Sequence, residues 1–290
     1  MFLVYTLYYS AGGEIFSIKI GAEDLSRLYL HEETVPHALQ KLVKAFKKSK
    51  FQYHPIIVDE KSKVILDGMH RASAMKELGY PRVAVCFVDY FSKLIEVKNW
   101  YRVFIGVDFS RVINAIKDIC RNYGLIFEEK RIGEYNLREQ STDSIDLIVR
   151  DKVFIIKGPQ NKYNLYRIVS YLDNKIKSLS NSIKYLPEKE ALSYISKDSV
   201  VEKTPIITKK DVIEVALSGK VFPPKTTRHI IPVRPLFINI PLNILKRKDL
   251  NLNEVNDIIN KILLQKKLVK IRGKIYLDRF YEENHLYLFI

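Results

Sequence analysis

Val64-Ile65-Leu66-Asp67-Gly68-Met69-His70-Arg71-Ala72-Ser73-Ala74-Met75-Lys76-Glu77-Leu78-Gly79 decides how the first third of this chain folds. Val64 to Leu66 is a short apolar run that ends at Asp67-Gly68, as a strand ends at a turn. From His70 the apolar residues recur at helical spacing through Ala72, Ala74, Met75 and Leu78, and Gly79 with Pro81 beyond it stops the helix. Val83-Ala84-Val85-Cys86-Phe87-Val88 then reads as a buried strand. The order is strand, glycine turn, helix, strand.

Upstream, Pro55-Ile56-Ile57-Val58-Asp59 and Val64-Ile65-Leu66-Asp67 flank the polar turn Glu60-Lys61-Ser62-Lys63, which predicts a hairpin. Leu39, Leu42, Val43 and Phe46 predict an amphipathic helix over 36 to about 48, with Lys41, Lys44, Lys47 and Lys48 in solvent. Before it, Leu30 to Pro36 reads as a polar loop. The apolar start, Met1 to Tyr9, is about half the roughly 20 residues of a membrane span and runs into Ser10-Ala11-Gly12-Gly13 like a strand into a turn.

Downstream, Tyr101 to Val107 and Arg111 to Tyr123 alternate strand with helix, and Ile145 to Ile156 predicts a hairpin turning near Arg150-Asp151. Tyr163 to Leu179 reads as a helix, and Thr208 caps another that closes at Gly219. A last helix, Asn253 to Lys267, precedes Leu268 to Leu277, which predicts a tight hairpin around Arg272-Gly273. This is the outline of a winged-helix end and also an ordinary way to finish a sheet; the ordinary reading is preferred. Alternation of this kind predicts a mixed α/β (α+β) chain.

At 290 residues, 47% hydrophobic and 28% charged, the chain is large enough for one large domain or two modest ones, and composition does not choose. The two cysteines, Cys86 and Cys120, sit in apolar stretches and read as free core thiols, so a reducing, cytoplasmic setting with no membrane span is expected. The net charge of +15 is spread along the chain, which fits a solvated, heat-adapted surface better than a nucleic-acid partner.

A strand-to-helix junction aims backbone N–H groups at one concave spot, and the helix dipole makes that spot attractive to anions. Gly68 lets a ligand approach, and His70 and Arg71 stand at the mouth, where a guanidinium grips phosphate oxygens in two places. Asp67 is a candidate Mg²⁺ ligand through one oxygen and waters; it also suits a plain helix cap, with Arg71 merely on the surface. Lys225-Thr226-Thr227-Arg228-His229, after Pro223-Pro224, concentrates five donors on an extended loop; without further context it is also a basic surface loop.

The segment Asp67 to Gly79 resembles the ParB/sulfiredoxin superfamily, in which a glycine, then His or Arg, then Arg at a helix start holds nucleotide phosphates. Within it, His31-Glu32, Asp89-Tyr90-Phe91-Ser92 with Trp100-Tyr101, and Pro224 to His229 are similar to the archaeal ParB-like free serine kinases, over about residues 28 to 235. The resemblance implies a nucleotide-binding domain over 1–100, a second α/β domain over 101–240 completing the serine site, and a C-terminal helix-hairpin extension over 241–290. It implies phosphoryl transfer from ATP or ADP, with Mg²⁺, to L-serine. Glu32 matches the general base, with Glu33 a close competitor and helix-start charge the plain alternative. Gly68, Met69, His70 and Arg71 match the phosphate site.

Lys225, Thr226, Thr227, Arg228, His229 and the single tryptophan, Trp100, match the serine site; a lone tryptophan also serves as core. Relatives carry a glycine-containing loop near the nucleotide where this chain has Ala45 to Tyr53, which leaves ATP or ADP open, with ATP slightly preferred. The shortest relatives have no counterpart to about 240–290. A monomer without nucleic acid is expected. The rival readings are a ParB-type DNA-binding protein and a kinase of another small hydroxylated metabolite.

Overall fold

Apolar alternation in the first ninety residues builds a five-stranded sheet, seen in a computed structural model that describes residues 4–195, 198–277 and 280–290. Its elements are β1 (Tyr5–Ala11), β2 (Glu14–Asp24), α1 (Pro36–Lys48), β3 (Phe51–Gln52), β4 (Ile56–Asp59), β5 (Ile65–Asp67), α2 (Met69–Glu77) and β6 (Arg82–Val88). The sheet order is β1-β2-β6-β4-β5, with β4 and β6 parallel and the other neighbours antiparallel. Strand β6 is buried along its whole length at the centre of the sheet, as its unbroken apolar run requires.

Helix α1 matches the predicted span, with Pro36 in its first turn and Val43 and Phe46 buried, each burial contributing roughly 1.5–3 kcal/mol. The β4–β5 turn is pinned by Asp59, whose Oδ2 accepts from Ser62 N at 2.8 Å and Ser62 Oγ at 2.6 Å. The 45–53 stretch, where relatives carry a glycine-containing loop, holds the end of α1 and β3.

Elements β7 (Glu96–Asn99), β8 (Tyr101–Val107), α3 (Phe109–Tyr123), β9 (Ile126–Arg131), β10 (Ser144–Val149), β11 (Lys152–Lys157), α4 (Lys162–Lys177), β12 (Ser180–Leu186), α5 (Glu188–Leu192), β13 (Ser199–Lys203) and α6 (Lys209–Leu217) follow. Six of these strands form an antiparallel sheet in the order β12-β8-β13-β10-β11-β9. The β10–β11 hairpin turns at Arg150-Asp151 as its sequence predicts, with Arg150 at φ +59°. Thr208 caps α6, its Oγ1 accepting from Asp211 N at 3.2 Å.

The chain then forms β14 (Thr227–Ile230), β15 (Val233–Leu236), β16 (Ile240–Pro241), α7 (Leu242–Lys246), α8 (Leu252–Leu264), β17 (Leu268–Arg272), β18 (Ile275–Tyr276), β19 (Phe280–Tyr281) and β20 (His285–Phe289). Strand β16 pairs with β3, and β15, β20 and β17 form a three-stranded sheet. The tight hairpin expected around Arg272-Gly273 does not form between its two arms: β17 pairs with β20, and β18 pairs with β19. Strand β20 offers Leu286, Tyr287 and Phe289 to the interior, whereas β18 is exposed, so β17 gains more burial by pairing with β20.

The chain divides into two compact units. Unit 1 comprises 1–96, 213–220 and 229–290; unit 2 comprises 97–212 and 221–228. Helix α8 thus packs in unit 1, where Val255, Ile259 and Leu263 join Ile20, Val85 and Met75 in one core. Cys86 and Cys120 are free and buried, and burial pushes both thiols up, Cys120 to about 11. No helix among the described residues is long and apolar enough to cross a membrane.

Candidate active site

The turn from β5 into α2 needs Gly68. Its φ is +96°, a region that favours glycine, and a Cβ built there would lie 2.6 Å from Ile56 Cγ2 and 2.8 Å from Arg71 Nη2. The first intrahelical bond runs from Ala72 N to Gly68 O at 3.0 Å, so the N–H groups before it sit at the positive end of the helix. His70 lies on the same turn, and its Nε2 accepts from Val35 N at 2.9 Å, which assigns the ring hydrogen to Nδ1.

Arg71 does more structural work than its sequence position suggests. Its Nη1 donates to His54 O at 3.0 Å and Pro55 O at 2.7 Å, and its Nη2 donates to Asp67 Oδ2 at 2.8 Å. The guanidinium therefore stitches β5 and α2 to the entry of β4 while carrying charge at the β5–α2 turn. The same Asp67 oxygen accepts from Arg234 Nη1 at 2.6 Å, and Arg234 Nε donates to Glu283 Oε1 at 2.5 Å. Burial opposes the Arg234 charge, but Asp67 and Glu283 outweigh it and raise its pKa.

Asp67 is thus a carboxylate shared between two guanidiniums. No group of three or more His, Cys, Asp or Glu side chains among the described residues is arranged to hold a metal ion. A single carboxylate of this kind suits a Mg²⁺ that keeps most of its waters.

Within the segment read as a polar loop, His31 and Glu32 are buried. His31 is fully buried, with Nδ1 2.7 Å from Ile65 O, and burial lowers its pKa to about 4. A neutral ring donating from Nδ1 satisfies that carbonyl. Glu32 is 8% exposed, whereas Glu33 is only half-buried, so the two candidate carboxylates differ in environment. The His229 ring stands edge-on to His31 at 5.3 Å, and its Nε2 is 2.7 Å from Tyr90 Oη. Tyr90 is anchored in turn, its N donating to Asp59 Oδ1 at 3.1 Å.

In unit 2 the other candidate residues gather around Trp100. Its Nε1 donates to Thr227 O at 3.0 Å, and Lys225 Nζ and Arg228 Cζ lie 5.5 and 5.4 Å from the ring centre. Lys225 has φ +64°, a costly conformation for a lysine, held while Thr226 Oγ1 donates to Pro223 O at 2.8 Å. The Trp100 carbonyl accepts from Arg102 Nη1 at 2.7 Å and Thr204 Oγ1 at 3.1 Å. Of the five-residue donor run, Lys225 and Arg228 flank Trp100, Thr227 bonds it, Thr226 faces inward, and His229 belongs to the His31–Tyr90 cluster of unit 1.

An ATP-dependent L-serine kinase from Staphylothermus marinus is 32% identical over 240 residues, covering 77% of this chain and 90% of that relative. The chain belongs to the ParB-like L-serine kinase family. An ADP-dependent L-serine kinase from Thermococcus kodakarensis is 27% identical over 229 residues, covering 76% of this chain and 90% of that relative. A solved free serine kinase, a glutamate-to-alanine variant in complex with ADP, matches this ParB-like L-serine kinase family member with a TM-score of 0.63 at 26% identity. That likeness covers 78% of this chain and 93% of the other. No protein-family model matches the chain.

Sequence reasoning passed over Arg234 and Glu283. A signal was present in Ile230-Ile231-Pro232-Val233-Arg234-Pro235-Leu236, where one arginine stands in an apolar run. A charge placed there is buried, and a buried charge needs a partner.

Proposed function

We propose that this protein transfers the terminal phosphoryl group of ATP, or of ADP, to the hydroxyl of L-serine, giving O-phospho-L-serine. The observation that carries this reading is the likeness to the Staphylothermus marinus L-serine kinase across nine-tenths of that relative's length. In the reaction the serine oxygen bonds to the terminal phosphorus as the bridging P–O bond breaks. The shortened nucleotide leaves with the bridging oxygen, and the hydroxyl proton passes to a carboxylate.

Glu32 takes that proton. Its burial favours it over Glu33, because a carboxylate withdrawn from water loses less to solvation as the acceptor enters. Backbone N–H groups around Gly68 and Met69, the His70 Nδ1–H and the Arg71 guanidinium hold the phosphates, and Asp67 fixes Arg71. Mg²⁺, carried by the nucleotide and bordered by Asp67, neutralises phosphate charge when bound. Lys225 and Arg228 meet the serine carboxylate, Trp100 walls the pocket, and Thr226 and Thr227 shape it.

The missing glycines at 45–53 and the ATP-dependent relative favour ATP; the ADP-dependent relative keeps ADP open. The product suits cysteine biosynthesis, and we place the protein in the cytoplasm as a monomer acting without nucleic acid. Phosphorus NMR with Mg²⁺, L-serine and either nucleotide tests the reading. Phosphoserine is expected with one donor and is lost in Glu32→Ala and Arg71→Ala. No phosphoserine from either donor sinks it, and steep salt-dependent DNA binding without turnover points to the ParB-type alternative.

A further inference from the structure

Four charged side chains alternate in sign across unit 1: Glu283, Arg234, Asp67 and Arg71. The separations are 2.5 Å from Arg234 Nε to Glu283 Oε1, 2.6 Å from Arg234 Nη1 to Asp67 Oδ2, and 2.8 Å from Arg71 Nη2 to the same oxygen. Arg234 comes from β15 and Glu283 from the stretch between β19 and β20. Sequence reading gave that last stretch no purpose.

We infer that Arg234 and Glu283 are positioning residues for nucleotide phosphate, so that the C-terminal segment is a working part of the phosphate turn. The Arg234 and Glu283 side chains are 7% and 8% exposed, whereas those of Asp67 and Arg71 are 30% and 20% exposed. An ion pair as exposed as Asp67–Arg71 is a weak restraint by itself, since water competes for both partners. A second guanidinium, buried and unable to turn to solvent, fixes the direction of the shared carboxylate oxygen.

Arg234 keeps that direction only while its own charge is balanced from the other side, because an arginine fork holds two acceptors at set angles. Glu283 supplies the balance. Without Glu283, Arg234 is left with Asp67 as its charged partner among the described residues, and the pull on Asp67 away from Arg71 grows. The consequence reaches Arg71, whose fork is otherwise anchored on the carbonyls of His54 and Pro55.

This inference rests on the phosphate-site reading of Asp67 to Arg71, and direct nucleotide binding tests it apart from serine turnover. Calorimetric titration of the full chain with Mg²⁺ and ADP, and with Mg²⁺ and ATP, is compared for wild type, Glu283→Gln, Glu283→Asp, Arg234→Met and Arg234→Lys, with thermal melts alongside. Glu283→Gln and Arg234→Met are expected to weaken nucleotide binding at least about tenfold, the scale of a lost orienting contact behind a ligand-binding group. Arg234→Lys does not rescue, since an ammonium cannot span both carboxylates, and Glu283→Asp loses less than Glu283→Gln. KM for L-serine stays within about twofold of wild type, because the affected charges belong to the phosphate turn.

Unchanged nucleotide affinity in a folded Glu283→Gln overturns the inference. So does an equal loss for nucleotide and serine that tracks the melting temperature, which marks a purely structural role. If Glu283→Gln does not fold, Glu283→Asp with normal affinity overturns it as well. Wild-type binding of nucleotide without serine turnover would sink the kinase reading and leave this one intact; no nucleotide binding by wild type overturns both.

Discussion

Gly68 and Ile56 approach so closely that a Cβ on the glycine would lie 2.6 Å from the isoleucine Cγ2. The strand β4 therefore sets how tightly β5 can turn into α2. Gly68→Ala meets that contact and a left-handed φ together, and a loss of about 2–4 kcal/mol of stability is expected from the two. Thermal melting measures it. Ile56→Ala in the same background removes that methyl but leaves the φ strain, the Arg71 approach and a cavity at a buried site, so the double variant is expected to lose less than the sum of the two single changes.

Glu32 and Glu33 are adjacent in sequence and differ in burial. Glu32→Gln is expected to lower kcat by about 10²–10⁴ with the KM for nucleotide little changed, the range for losing a general base. Glu33→Gln is expected to stay within about threefold of wild type, the range of a charge that reaches the chemistry only through space. Steady-state phosphoserine formation at saturating nucleotide separates them; the reverse ranking would move the base to Glu33.

Trp100 carries the indole bond to Thr227 O and the cationic neighbours Lys225 and Arg228. Trp100→Phe removes the bond and weakens both ring contacts, worth about 1–2 kcal/mol together. A rise of roughly tenfold in the KM for L-serine is expected with kcat nearly kept, since each 1.4 kcal/mol is a factor of ten. An unchanged KM would remove Trp100 from the serine pocket.

His31 is neutral in the folded chain because burial lowers its pKa to about 4, against 6.5 for an unburied ring. The unfolded state then binds the extra proton between those two values, so stability is full above pH 6.5 and falls as the pH drops toward 4. The loss from this one group amounts to about 3 kcal/mol at roughly 1.36 kcal/mol per unit. His31→Asn, which keeps a donor for Ile65 O, is expected to show a shallower decline over that window in urea titrations. An identical slope would mean that the ring titrates normally.

Much of the secondary structure was legible before any coordinates. Helix α1, the β4–β5 hairpin, the glycine turn at 68, strand β6 and the β10–β11 hairpin all follow from local signals: apolar period, proline and glycine placement, and turn residues. The geometry of the Asp67 to Arg71 turn was legible for the same reason, since the segment is contiguous and its shape is set within one turn of backbone. The donor loop 225–229 stood out as a cluster, but which of its side chains flank Trp100 and which turn inward was not written in their order.

What the sequence determined by itself was therefore the local grammar: strands, helices, a glycine turn from β5 into α2 and the family that this combination marks. Tertiary structure alone decided that β17 pairs with β20 and not with its neighbour in sequence, that His31 and Glu32 lie inside, and that Arg234 and Glu283 reach Asp67. The physical reason is separation along the chain. Asp67 and Arg234 are 167 residues apart, and no short-range periodicity encodes a pairing that forms only once both strands are buried and the two opposite charges have no water left to turn to.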